Sequence, residues 1–142
     1  MVDYAALRVE DYALALALWR QADGVRVGPF DTEADCARFL ARNPGLSLVA
    51  RNAGKLVGAV LCGHDGRVGY LHHLAVAYDA RRLGIGRELV RRSLILLAAA
   101  GVPEAYAFVQ RRNPAGQAFW QACGWQNRGV DTVCVETAAP FG

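Results

Sequence analysis

The chain has no apolar run long enough to span a bilayer. Its longest candidate, Leu94–Val102, falls well short of the roughly 20 residues a spanning helix needs. Its first residues, Met1-Val2-Asp3, lack the basic-then-apolar pattern of a secretory leader, so a cytoplasmic chain without membrane partners is expected. Cysteine is scarce and unpatterned: Cys36, Cys62, Cys123 and Cys134 form no CxxC or CxxH spacing. No metal site can be read from such spacing, and a core of ordinary size needs no disulfide framework, so reduced, mostly buried thiols are expected. There is also no internal repeat, low-complexity tract or linker. A large charge excess is missing too, since the net charge is only +3, which by itself does not argue for a nucleic-acid partner.

What is present describes one globular domain over residues 1–142. With 54% hydrophobic and 20% charged residues, the chain can bury a real core. Its charge is unevenly spread. Residues 1–35 hold seven acids against three arginines, and residues 36–142 hold thirteen basic residues against six acids. Five arginines (Arg81, Arg82, Arg87, Arg91 and Arg92) are opposed locally only by Glu88. Such a cluster suits a phosphate-bearing ligand or, more simply, a solvated helix face.

The apolar pattern predicts a strand over Tyr4–Val9, then a helix over Glu10–Gln21 stopped at Ala22-Asp23-Gly24. A second helix is predicted with Asp31 as N-cap, without a capping box because Ala34 stands three residues on, ending before Asn43-Pro44-Gly45. Leu46–Arg51 and Lys55–Cys62 flank the turn residues Asn52-Ala53-Gly54, and Arg67–Val76 follows a turn at His64-Asp65-Gly66. These predict an antiparallel meander. Gly84–Ala100 carries the strongest helical pattern, with Ile85, Leu89, Leu94 and Leu97 near one face. A strand at Glu104–Gln110, a short helix at Pro114–Cys123 and a last strand at Gly129–Glu136 complete the chain; Trp125–Arg128 belongs to that strand or to one before it. The class is therefore α/β (α+β), a mixed sheet with helices on both faces.

One segment carries chemistry. Arg81-Arg82-Leu83-Gly84-Ile85-Gly86-Arg87 runs from strand through loop into helix. Two glycines let the backbone approach a ligand, and the helix behind them offers free N–H groups and the positive end of its dipole. A pyrophosphate is the natural occupant, with Arg81, Arg82 and Arg87 as countercharges. A dinucleotide fingerprint would need glycine where Leu89 stands, and no Gly-Lys-Ser/Thr of a P-loop follows.

With Leu74-Ala75-Val76 upstream and the Arg-x-x-Gly-x-Gly run of Arg81–Gly86, the chain resembles the GNAT N-acetyltransferase superfamily. A second motif strengthens the resemblance: Asn113, then a short helix with Phe119-Trp120, then Gly124-Trp125. The resemblance implies a mostly antiparallel sheet whose central strands splay, and acetyl-CoA as co-substrate without a metal. It implies that the backbone around Leu74, Ala75 and Val76 runs along the pantetheine arm. It implies also that the amides of Arg82, Leu83, Gly84, Ile85, Gly86 and Arg87 hold the pyrophosphate, with Arg81 beside them. Asn113 would touch the pantetheine or simply cap its helix.

The implied reaction is attack of a neutral amine on the thioester, with Val76 backbone as oxyanion donor. Tyr70 and His72 fall at positions where the family often holds its base, directly or through water, and His73 is an alternative; each could instead be a half-buried structural residue. Strand alternation would put Tyr70, His72, Leu74 and Val76 on one face and Leu71, His73 and Ala75 on the other. The family's usual general acid is a tyrosine where Trp120 stands. An indole cannot serve, and Tyr78 and Tyr106 lie off the matching position, so no acid is assigned. The acceptor is a small-molecule amine or a peptide N-terminus; the acids Asp23, Asp31, Glu33 and Asp35 could attract its cation, although Asp31, Glu33 and Asp35 could equally stabilise a helix dipole. Members are often dimers, so a homodimer is among the expectations. Two other readings stay open: a coenzyme A-binding module without turnover, and a generic phosphate-binding domain.

Overall fold

The computed structural model describes residues 1–129; the expected strand Gly129–Glu136 lies outside the described residues apart from Gly129. Five strands, β1 (Val2–Ala6), β2 (Leu48–Asn52), β3 (Lys55–His64), β4 (Gly69–Val76) and β5 (Ala105–Tyr106), form one sheet in sequential order. The first four pair antiparallel and β5 joins β4 in parallel. Parallel pairing requires a crossover, and α3 (Ile85–Ala99) supplies it. Helices α1 (Tyr12–Gln21) and α2 (Glu33–Arg42) precede the meander, and α4 (Pro114–Ala122) follows β5.

The β2–β3 turn is tight because Ala53 and Gly54 both adopt positive φ, 52° and 82°, the twist a two-residue hairpin requires. The sheet has a core on each face. On one, Ile85, Leu89, Val90 and Leu97 of α3 pack against Leu48, Val60, Cys62 and Leu71. On the other, Ala15, Leu18 and Trp19 of α1 and Cys36 of α2 pack against Val49, Ala59, Leu61 and Ala75. Burial pushes the Cys62 thiol up to about 12 and raises Cys36 as well, so both are inert protonated packing groups.

Several boundaries differ from the pattern-based expectation. The first strand runs over Val2–Ala6 rather than Tyr4–Val9, and Val9–Asp11 form a 3₁₀ turn ahead of α1. Thr32, not Asp31, caps α2: its hydroxyl accepts from Asp35 N at 3.2 Å, and Asp35 Oδ2 accepts from Thr32 N at 3.1 Å. This is a capping box, shifted by one residue because the Asp31 carboxylate is engaged elsewhere. The strand expected over Glu104–Gln110 pairs only at Ala105 and Tyr106.

Candidate active site

The site forms where β4 loses its neighbour. The β4–β5 ladder stops at Tyr70 and Tyr106, so from Leu71 to Val76 the β4 edge has no strand partner on that side among the described residues. The backbone groups that face this gap follow from one hydrogen bond. Ala77 N donates to Val57 O at 2.7 Å, toward β3, and strand amides alternate in direction. The amides of Val76 and Leu74 therefore point into the gap, while Ala75 points to β3 and buries its side chain under α1.

A bulge interrupts β4. Leu61 pairs with His72 but Ala59 pairs with Ala75, so His73 and Leu74 together stand opposite Val60, and His73 takes φ of 56°. The extra residue resets the side-chain alternation. Tyr70 and His72 face the α2 side, His73 follows on the α1 side against Trp19, and Leu74 and Val76 pack toward α3. The expected grouping of Tyr70, His72, Leu74 and Val76 on one face is thereby corrected.

His73 is tied down. Its Nε2 lies 3.0 Å from both carboxylate oxygens of Asp31, and the two side chains are only 14% and 9% exposed. Asp31 Oδ2 also accepts from Gly28 N at 2.8 Å, and its carbonyl accepts from the Tyr12 hydroxyl. The α1–α2 loop is thus fastened to the bulge. His72 makes no side-chain hydrogen bond to a described residue. Burial, reinforced by neighbouring His73 against a smaller opposing pull from Asp31, holds its imidazole below the ordinary value. It is a neutral base at pH 7. Tyr70 donates its hydroxyl to Asp65 Oδ2 at 3.4 Å, so its proton already has an acceptor.

At the end of β4 the chain passes through the 3₁₀ turn Tyr78–Ala80 and enters α3. Arg82 and Gly84 adopt left-handed φ, 70° and 73°. Among the described residues the amides of Arg82, Leu83, Gly84, Ile85, Gly86 and Arg87 donate to no protein acceptor. Six unpaired N–H groups surround a helix N-terminus, which is an anion cradle. Gly86 serves a second purpose: a β-carbon there would stand 3.1 Å from Phe119 Cε1, so its absence lets α4 close on the first turn of α3. Beside the cradle a cleft of about 160 Å³ is lined by Leu18, Asp23, Val76, Tyr78 and Arg81 among others.

Residues 12–125 match the Acetyltransferase (GNAT) family. The chain belongs to that family. It is 37% identical over 109 residues to an acetyltransferase of Pectobacterium atrosepticum, covering 76% of each chain. It is 30% identical over 132 residues to an acetyltransferase of Photorhabdus laumondii, covering 93% of this chain and 92% of that one. In fold, it superposes on the PaiA N-acetyltransferase of Thermoplasma acidophilum, in complex with coenzyme A, with a TM-score of 0.80 at 17% identity, covering 92% and 93% of the two chains.

Within this acetyltransferase the arginine cluster divides. Arg87 Nη2 donates to Ala122 O at 2.7 Å, at the end of α4, where a cation complements the helix dipole. Arg91 and Arg92 converge on Glu88, each at 2.7 Å; their hydrogen bonds, aided by their charges, hold the Glu88 carboxyl at about 2. Among the described residues, Arg81 and Arg82 are the members of this cluster whose side chains make no hydrogen bond or ion pair, and Arg81 rests 5.2 Å from the Tyr78 ring centroid. Arg87 as a phosphate countercharge is therefore not favoured by this geometry, although its amide belongs to the cradle. Leu83 is exposed and Ile85 is buried, so each offers only its amide.

Asn113 caps α4, its Oδ1 accepting from Gly116 N at 2.9 Å. A β-carbon on Gly24 would stand 2.3 Å from Asn113 Nδ2, so the chain leaving α1 abuts the first turn of α4. Trp120 packs between Phe119 and Trp125, with centroids at 5.3 and 4.5 Å. Of the four acids considered for acceptor attraction, Asp31 is bound to His73 and Asp35 to Thr32 and Arg38. The bulge and the Asp31–His73 pair carry no pattern in the sequence, because each depends on residues distant along the chain.

Proposed function

We propose that the enzyme transfers the acetyl group of acetyl-CoA to a primary amine by direct attack. The observation that carries this reading is the unpaired amide cradle of Arg82–Arg87 at the end of a strand whose open edge can pair with an amide-bearing arm. A pyrophosphate would sit on the cradle, and the pantetheine amides would pair with the backbone of Leu74 and Val76, as an added strand does. The coenzyme A bound in the PaiA structure and the CoA-based bisubstrate analogue in that of the aminoglycoside acetyltransferase AAC(6')-Iy agree with this reading.

In the reaction, His72 takes a proton from the acceptor ammonium and the neutral nitrogen attacks the thioester carbon. The oxyanion needs an N–H donor within about 3 Å. Strand rise is about 3.3 Å per residue, so Val76, four residues from His72, is too remote to share one reacting centre with it. Leu74 N–H, just past the bulge and facing the gap, is the better donor, and Val76 is left to the pantetheine. The tetrahedral intermediate loses the second nitrogen proton to solvent and expels coenzyme A thiolate, leaving the neutral amide; the thiolate takes a proton from solvent, since Trp120 stands where a tyrosine would donate one. The acceptor is a small-molecule amine or a peptide N-terminus, as for the Escherichia coli fold neighbour named ribosomal-protein-S18-alanine N-acetyltransferase.

The test is thiol release from acetyl-CoA against a panel of amines and N-terminal peptides. Amine-dependent release, matched by acetylated product and reduced by His72→Ala, is expected. Release that is unaffected by every amine overturns the reading.

A further inference from the structure

Beside the gap lies an aromatic group that the transfer chemistry does not account for. Tyr70 and His72 from β4 and Phe108 from the chain after β5 hold nearly parallel rings. Tyr70 and His72 lie 5.8 Å apart at 5°, Tyr70 and Phe108 6.2 Å apart at 18°, and His72 and Phe108 6.4 Å apart at 15°. Three parallel rings at near-equal mutual distances cannot form a column, because the outer pair of a column would be twice as far apart as its neighbours. Coplanar rings would collide at these distances, so the three form a stepped panel of partly overlapping, offset-stacked faces, with Phe108 the most exposed. Two further rings meet it steeply: Phe39 of α2 at 72° to His72, and Tyr106 of β5 at 75° to Tyr70. Phe108 is 63% exposed and Tyr106 39%, which leaves this panel open to solvent at a cost in exposed apolar area.

We infer that this panel is the acceptor subsite and that it selects an amine carrying a planar aromatic group. The inference rests on the transfer reading in one respect, that His72 marks the reacting end. A flat apolar group laid on the exposed face of Phe108 gains offset stacking that a puckered ring of equal size cannot match. Its amine then extends to His72, the one panel member that carries a free base. Two of the four acids, Asp31 and Asp35, are already engaged by His73, Thr32 and Arg38, and Asp23 lies in the cleft lined by Leu18 and Arg81.

Equilibrium binding to the protein saturated with coenzyme A tests this without requiring turnover. The probes are 2-phenylethylamine against 2-cyclohexylethylamine for a free amine, and phenylalanyl-glycine against cyclohexylalanyl-glycine for a peptide N-terminus. In at least one pair the planar member should bind about fivefold more tightly, and the preferred pair names the source. Phe108→Leu should abolish that preference and Phe108→Tyr should retain it, with coenzyme A affinity unchanged in both. Equal binding within both pairs, or a preference that survives Phe108→Leu, overturns the inference. Because binding is read directly, these outcomes are separate from a failure of acetyl transfer.

Discussion

His72 is held uncharged by burial, and that has a consequence with a definite sign. Its folded pKa lies below the ordinary value of about 6.5, so between the two values the unfolded chain binds a proton that the folded chain does not. Stability is complete above that ordinary value and falls as pH drops through the interval. The rate follows the same group: the acid limb of kcat/KM should fall below pH about 6.5, and His72→Gln should remove that limb while lowering the rate. A pH profile of the two proteins checks it. The neighbouring pair gives a second prediction. Asp31→Ala or His73→Ala leaves a buried polar partner unsatisfied and should cost about 1–3 kcal/mol, read from the urea midpoint at constant slope. The arginines separate by what their side chains bind. Arg81→Ala and Arg82→Ala should each weaken acetyl-CoA about tenfold, the scale of one charge-assisted hydrogen bond. Arg91→Ala, whose partner Glu88 faces solvent beside it, should leave that affinity unchanged. Nothing in the sequence separated these five arginines, since their roles depend on helix rotation and on where α4 ends.

At the scale of elements, the two signature glycines do different work. Gly84 is left-handed with open space around its missing β-carbon, whereas Gly86 lies under Phe119. Gly84→Ala should cost about 1–2 kcal/mol through backbone strain alone. Gly86→Ala should destabilise by displacing Phe119, and the combination with Phe119→Ala should be less than additive, because the second change removes the clash. Thermal denaturation of the four proteins decides this. The strand-to-helix turn was legible because Gly-x-Gly beside arginines is a local pattern. The hairpin at Asn52-Ala53-Gly54 was legible for the same reason. The β4 bulge was not: one extra residue in Leu71–Val76 leaves no mark in composition, and it moved Leu74 and Val76 to the opposite side from His72. The α2 cap was missed by one residue because Asp31, a good cap by type, is claimed by His73 from across the fold.

At the scale of the whole molecule, the alternation of patterns was enough for the architecture, and family membership followed from two motifs in order. The unpaired amides of Arg82–Arg87 were legible because glycine and helix phase encode backbone geometry. The aromatic panel that we propose for the acceptor was not, because it joins Tyr70, His72 and Phe108 to Phe39 and Tyr106 from separate elements. The proposed seat of the pyrophosphate is the set of Arg82–Arg87 amides ahead of α3. Calorimetric titration with acetyl-CoA and with acetyl-pantetheine, which lacks the pyrophosphate and nucleotide, measures what that seat contributes. The prediction is that acetyl-CoA binds at least about tenfold more tightly, the scale of one or two charge-assisted hydrogen bonds, and that the difference shrinks in Arg81→Ala. Equal affinity for the two ligands would contradict the account.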